Sequence, residues 1–185
     1  IINSCAVTHK AEKKVRYEIK KAKKKFPNKK IVVTGCAAQI NPEKYATMEE
    51  VDYVIGNNEK LAFKTWSDIK NSKTIQVKDI FARNYTNHDL VNNFEGKTRA
   101  YIEIQQGCDH RCTFCIIPFG RGNNHSVPVD VIIKQIKLLV QNGYREVVLT
   151  GVDITDYGKD LPENPNLFQL VKRILNIVPE LKQLR

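Results

Sequence analysis

Cys108, Cys112 and Cys115 stand in the run Gly107-Cys108-Asp109-His110-Arg111-Cys112-Thr113-Phe114-Cys115, a C-x3-C-x2-C spacing. Thiolates are soft, anionic ligands, and such a cluster is self-repelling unless a metal sits among them. Three ligands are one short of a closed tetrahedral site. A four-iron cluster held this way keeps one iron open to a further ligand, which is the arrangement of a reactive cluster. Structural zinc takes four ligands, commonly from two paired knuckles. The chain has no second C-x2-C pair, so a zinc reading needs His110 or His125 as the fourth ligand. A disulfide within the run leaves one cysteine odd.

The elements around these residues follow from pattern. Alternation over Ala100-Tyr101-Ile102-Glu103-Ile104-Gln105 predicts a strand ended by Gly107, so the cysteines fall on the loop leaving its C-terminal end. That is where (β/α) folds place their chemistry. Ser126 and Pro128 mark a helix start, and Val129, Ile132, Ile133, Ile136, Leu139 and Val140 give the helix a broad apolar face ended by Asn142-Gly143. The continuous apolar run 146–150 predicts a strand buried on both faces and completes a βαβ unit. Gly151 and Asp153 follow at its C-terminal end. Gly151 permits close backbone approach. Asp153 is placed either to accept a hydrogen bond from a ligand or to cap its loop through an Asx turn. Leu167, Leu170, Val171, Ile174 and Val178 mark a last helix, ended by Pro179.

The first half has the same rhythm. Residues 1–8 and 31–37 contain short apolar runs that end at Cys5 and Cys36, each followed by a helix-compatible segment. Both cysteines are thus expected at strand C-termini of a small parallel sheet, where open α/β sheets bind ligands. Buried core thiols are the other reading. Net charge is +10, and residues 9–30 hold eleven Lys/Arg against two Glu. That segment reads as a helix with Ala11, Val15, Ile19, Ala22 and Phe26 inward and Lys13, Arg16, Lys20, Lys23 and Lys24 largely off that face. Such a face is either solvated or engaged with phosphates. A short helix is expected over 42–48, a strand over 52–56, and a helix over 59–69 with Leu61, Ala62, Trp66 and Ile69 inward. Residues 71–98 are polar and irregular, with one extended piece at 74–77, and read as a connection. The charged fraction of 27% and hydrophobic fraction of 42% are ordinary for a globular chain. No apolar run reaches the ~18 residues of a membrane span, and no signal-peptide pattern opens the chain. Clustered thiols fit a reducing compartment, the cytoplasm.

The run "GCDHRCTFCIIPFGRG" resembles the radical S-adenosylmethionine (SAM) enzymes and, more closely, the methylthiotransferases, which put a methylthio group on tRNA adenosines or on a ribosomal protein. The resemblance extends to "NSCAVT" and "TGC" and covers the whole chain. It implies that Cys108, Cys112 and Cys115 bind a [4Fe-4S] cluster whose open iron takes SAM. Phe114 then occupies the aromatic position beside the adenine of SAM, which is compatible with its being a plain core aromatic. Cys5 and Cys36 correspond to two of three ligands of an auxiliary [4Fe-4S] cluster, the third lying upstream of Ile1. The implied fold is α/β. It has a small parallel-sheet N-terminal domain, incomplete at its N-terminus (1–70), a linker (71–98), and the start of a partial TIM-like barrel (99–185). A chain of that extent is a fragment, expected to expose apolar surface and to be inactive alone. Gly151 and Asp153 would line the SAM site.

The implied chemistry is radical, because an aromatic C2–H is not acidic enough for general-base removal. The implied partners are a tRNA and a reducing electron donor, with the lysine-rich helix trading counterions against phosphate. Residue choices in "NSCAVTHKAEKKVR" and "LTGVDITDYG" look most like the branch acting on N6-threonylcarbamoyladenosine beside the anticodon. The isopentenyladenosine and ribosomal-protein branches, and a non-catalytic metal-cluster module that binds RNA, are the alternatives. One position departs from the family: His125 stands where a second arginine is common, and a neutral imidazole cannot make the guanidinium's two-pronged grip on a carboxylate or phosphate.

Overall fold

A computed structural model describes residues 1–82, 90–94 and 96–185, so the expected connection at 71–98 lies partly outside the described residues. Two compact units emerge: residues 1–83 with 110–122, and residues 84–109 with 123–185.

The first unit is built on a parallel sheet in the order β1 (Ile2–Ser4), β2 (Val32–Gly35), β3 (Tyr53–Ile55), β4 (Ile75–Gln76). Helix α1 (His9–Lys25) joins β1 to β2, and α2 (Cys36–Ile40) and α3 (Pro42–Ala46) join β2 to β3. Thr8 caps α1 by accepting the Ala11 N–H. Ile19 is fully buried among Val33, Ala37, Ala38, Tyr45 and Val54. Burying one such side chain is worth about 1.5–3 kcal/mol.

Phe26 was expected inward on α1; it is exposed, with non-helical backbone. Pro27 follows it, and the residue before a proline is pushed out of the helical region. The expected helix over 59–69 is also broken. It becomes a 3-10 turn (Glu59–Leu61), α4 (Phe63–Ser67) and a second 3-10 turn (Ile69–Asn71), because Ala62 is extended. Leu61 and Ala62 are exposed, Trp66 and Ile69 are half-buried, and the Trp66 indole N–H donates to the Lys60 carbonyl at the break. A short helix, α5 (Ile117–Arg121), completes this unit after the cysteine loop.

The second unit holds a parallel sheet in the order β5 (Ala100–Glu103), β8 (Glu146–Thr150), β9 (Gln183–Leu184), and a two-stranded antiparallel pair, β6 (Gln105–Gln106) with β7 (His125–Ser126). Helices α6 (Val129–Gln141) and α7 (Leu167–Ile177) connect the parallel strands. Ile132, Ile133, Ile136 and Leu139 from α6 and Leu170 and Ile174 from α7 share one core with Ala100, Ile102 and Val147. Both helices therefore cover the same sheet face. Ala100 pairs with Val147 and Tyr101 with Val148. Tyr101 and Glu103, one step along the pleat, point to the other face and are exposed. For that reason 146–150 is not buried on both faces as expected: Val147 is buried and its neighbours are half-buried. Strand β9, too short to show a period, went unanticipated; it pairs parallel to β8 through Glu146↔Gln183 and Val147↔Leu184.

Candidate functional site

Cys5 and Cys36 come together through the register of β1 and β2. Ser4 pairs with Gly35, so the two cysteines are the next residues on neighbouring strand ends. The buried Ser4 hydroxyl donates to the Thr34 carbonyl at 2.6 Å and accepts the Ala38 N–H at 3.0 Å, tying both strand ends to the start of α2. Gly35 has φ +96°, and a Cβ there would lie 2.3 Å from the Ser4 carbonyl oxygen. Only glycine allows this approach. Cys5 is exposed and Cys36 half-buried. Neither is a buried core thiol, and both present sulfur at the C-terminal edge of the sheet.

The same unit holds Cys112 and Cys115. The Cys115 N–H donates to the Cys112 carbonyl at 3.0 Å, closing a tight turn that sets the C-x2-C pair. Helix α5 then packs directly on Cys36: a Cβ on Gly120 would meet Cys36 Cβ at 2.9 Å. The Asn57 side-chain amide sits between them, donating to the Gly120 carbonyl at 2.6 Å and to Cys36 Sγ at 3.7 Å. Phe114 is 90% exposed, its ring open on the cysteine loop. None of the five cysteines, all of them among the described residues, is in a disulfide.

In the second unit, Gln105 organises the loops around Cys108. It is fully buried. Its Oε1 accepts the backbone N–H groups of Val152 and Asp153 at 2.9 and 2.8 Å. Its Nε2 donates to the Gly107 carbonyl at 2.8 Å and to Asn124 Oδ1 at 2.7 Å. One side chain thus fixes the entry to the cysteine loop, the exit after it, and the loop following β8. Gly151 is required by this clamp, since a Cβ there would lie 2.9 Å from Gln105 Oε1. Asp153 accepts a hydrogen bond from Thr155, the local turn contact, and one of its carboxylate oxygens also lies within 4.8 Å of Cys108 Sγ. Carboxylate oxygen and cysteine sulfur are both cation ligands, so their closeness here is compatible with a bound cation.

His125 sits on β7 with Nδ1 3.5 Å from Asp160 Oδ2. Asp160 also accepts the Ser126 N–H and the Asn124 amide. The imidazole is therefore turned to the solvent-accessible carboxylate of Asp160.

The basic face of α1 divides in two. Arg16 pairs with Glu12 at 3.9 Å, and Lys23 with Asp52 at 3.6 Å. Lys13, Lys20 and Lys24 are exposed. Tyr17, unnoticed in the sequence, lies among them 62% exposed, with Lys21 Nζ 5.9 Å from its ring centre. Gln105, Asn57 and Asn124 are the other site residues that sequence pattern did not reveal.

Residues 1–56 match the family described as "Uncharacterized protein family UPF0004", and residues 102–183 match the radical SAM superfamily. Over its full length the chain is 54% identical to "Threonylcarbamoyladenosine tRNA methylthiotransferase MtaB" of Rickettsia prowazekii, covering 44% of that protein. It is 39% identical to the protein of the same name from Aquifex aeolicus, over 96% of this chain and 43% of the relative. A "tRNA-2-methylthio-N(6)-dimethylallyladenosine synthase" of Thermodesulfovibrio yellowstonii is 35% identical over 96% of this chain and 42% of the relative. The chain thus spans less than half the length of these curated relatives. Among the described residues, no helix is long and apolar enough to cross a membrane.

Proposed function

We propose, for a chain that belongs to the radical SAM methylthiotransferases, a part in adding a methylthio group at C2 of N6-threonylcarbamoyladenosine beside a tRNA anticodon. The observation that carries this reading is the 54% identity over the whole chain to a relative named for that activity, with the cysteine run and its exposed Phe114 in place. The branch acting on dimethylallyladenosine is supported by lower identity, 35%.

Residues 1–70 are assigned to an auxiliary-cluster domain, 71–98 to the connection, whose β4 joins the first sheet, and 99–185 to the start of the SAM core, of which 110–122 group with the first unit. Cys108, Cys112 and Cys115 would hold one [4Fe-4S] cluster, and Cys5 and Cys36 two corners of another. All five are unpaired by disulfides and stand at strand ends or on the loop beyond one, which fits soft-metal ligation. When bound, the first cluster and SAM supply the one-electron chemistry that opens an unreactive C–H bond. The chain's own residues orient and enclose. Phe114 offers a flat apolar face to a purine. Gly151 and Gln105 hold the loop after β8 close, so that the Asp153 carboxylate can accept from the amino group of SAM. Lys13, Lys20 and Lys24 meet phosphates, and Arg16 and Lys23 extend that face from within their ion pairs. The partners are a tRNA and a reducing electron donor, and the compartment is the cytoplasm.

The test uses the full-length protein, reconstituted anaerobically with iron and sulfide, reduced and supplied with SAM. 5'-Deoxyadenosine is expected from the wild type and none from Cys112→Ala. Nucleoside analysis of tRNA from a deletion strain should lack only the methylthio form of N6-threonylcarbamoyladenosine. A normal level of that nucleoside, or 5'-deoxyadenosine from Cys112→Ala, sinks the reading.

A further inference from the structure

Asn57 is 5% exposed and all its side-chain hydrogen-bonding groups are engaged. Its Oδ1 accepts from Lys60 Nζ at 2.7 Å, while Nδ2 reaches the Gly120 carbonyl at 2.6 Å and Cys36 Sγ at 3.7 Å. The residue is itself held from behind: its backbone N–H donates to Gln39 Oε1 at 2.8 Å, and Gln39 Nε2 donates to the Lys78 carbonyl at 2.8 Å. An amide has two N–H bonds, and the two Nδ2 partners use one each. The ammonium on Oδ1 draws electron density from the amide and makes those N–H bonds better donors. The 3.7 Å separation is long for oxygen but within reach of the larger sulfur atom. Gly120 completes the arrangement, because any side chain there would displace α5 from Cys36.

We infer that Asn57 is a positioning residue for the auxiliary cluster, donating to the Cys36 sulfur and pinning the helix after Cys112 and Cys115 against it. The inference rests on the reading of Cys36 as a cluster ligand. A donor on a cluster thiolate stabilises the added electron more than the oxidised state, so it raises the reduction potential. Asn57 therefore makes this cluster easier to reduce. It also links Cys36 mechanically to the C-x2-C segment, which lies more than sixty residues further along the chain.

The experiment takes the full-length protein with Cys108, Cys112 and Cys115 all changed to Ala, so that only the auxiliary site can hold iron. Iron and sulfide content, the electron paramagnetic resonance spectrum of the reduced protein, and the midpoint potential are measured in that background. Asn57→Leu removes the donor while keeping the branching at Cγ; Asn57→Asp keeps the shape and the Lys60 contact but turns a carboxylate toward sulfur. Both are expected to hold iron and to titrate at a more negative potential with shifted g-values, the Asp variant by more. Should circular dichroism show Asn57→Leu misfolded, the Asp variant decides alone. Unchanged potential and g-values in variants that hold their iron overturn the inference. Absence of iron from the triple-Ala protein, or iron there that Cys36→Ala leaves intact, overturns the two-cluster reading beneath it and is distinguishable by metal analysis alone.

Discussion

Gln105 uses its whole side chain to hold Gly107, Asn124, Val152 and Asp153 in one arrangement. Leucine has nearly its volume and none of its polarity, so Gln105→Leu strands several buried donors and acceptors at once. Each costs about 1–3 kcal/mol when left without a partner. Urea unfolding should show a loss of several kcal/mol, and the full-length variant should retain less iron at Cys108, Cys112 and Cys115. A midpoint and iron content equal to wild type would mean the clamp is dispensable. The cysteines were legible in the sequence because metal ligation needs rare residues at tight spacing. Gln105 was not, since a glutamine in an alternating strand reads as one more polar position. Asn57 was hidden for another reason: the two acceptors of its amide N–H groups lie 21 and 63 residues away, a distance over which no local pattern carries information.

Among the elements, α1 and the beginning of β2 are joined through Asp52, just before β3. Its carboxylate accepts from Lys30 Nζ at 2.7 Å and from the Ile31 N–H at 2.8 Å, with Lys23 Nζ at 3.6 Å. Partial burial alone pushes its pKa up, but the Lys30 hydrogen bond, the Ile31 N–H and the Lys23 charge together bring it below the usual carboxylate value. A depressed folded pKa stabilises the fold above the unfolded value, near 4, and that contribution is lost as pH falls through the folded value. Thermal stability should therefore drop below about pH 4. Asp52→Asn should lower stability at pH 7 and flatten this acid limb; an acid limb as steep as that of wild type would assign it to other carboxylates. Periodicity revealed α1 and α6 because each repeats over several turns. It failed over 59–69, where the extended Ala62 interrupts the chain, and at β9, whose two residues are too few to form a pattern.

Across the whole molecule, the +10 charge is concentrated on α1, and Lys13, Lys20 and Lys24 are among its exposed cations, on the helix that also exposes Tyr17. Replacing these lysines by Gln in the full-length protein should weaken tRNA binding. It should also reduce the slope of log affinity against log salt by roughly two to three, one phosphate contact for each lysine lost. An unchanged slope, measured by filter binding across a salt series, returns this face to plain solvation. The α/β class and the two parallel sheets, β9 aside, were readable from the sequence, while the antiparallel β6–β7 pair was not, because alternation runs on unbroken from β5 into β6. The grouping of residues 110–122 with 1–83 was not, because it depends on contacts such as that of Gly120 with Cys36. Strand order has a consequence in time. In β1-β2-β3-β4 and in β5-β8-β9, neighbours follow the chain from one edge to the other. As the ribosome extrudes the protein, each new strand finds its template already made and never has to wedge between two earlier ones. Both parallel sheets can thus be laid down in the direction of synthesis, while residues 110–122 must turn back to a sheet completed before they were made.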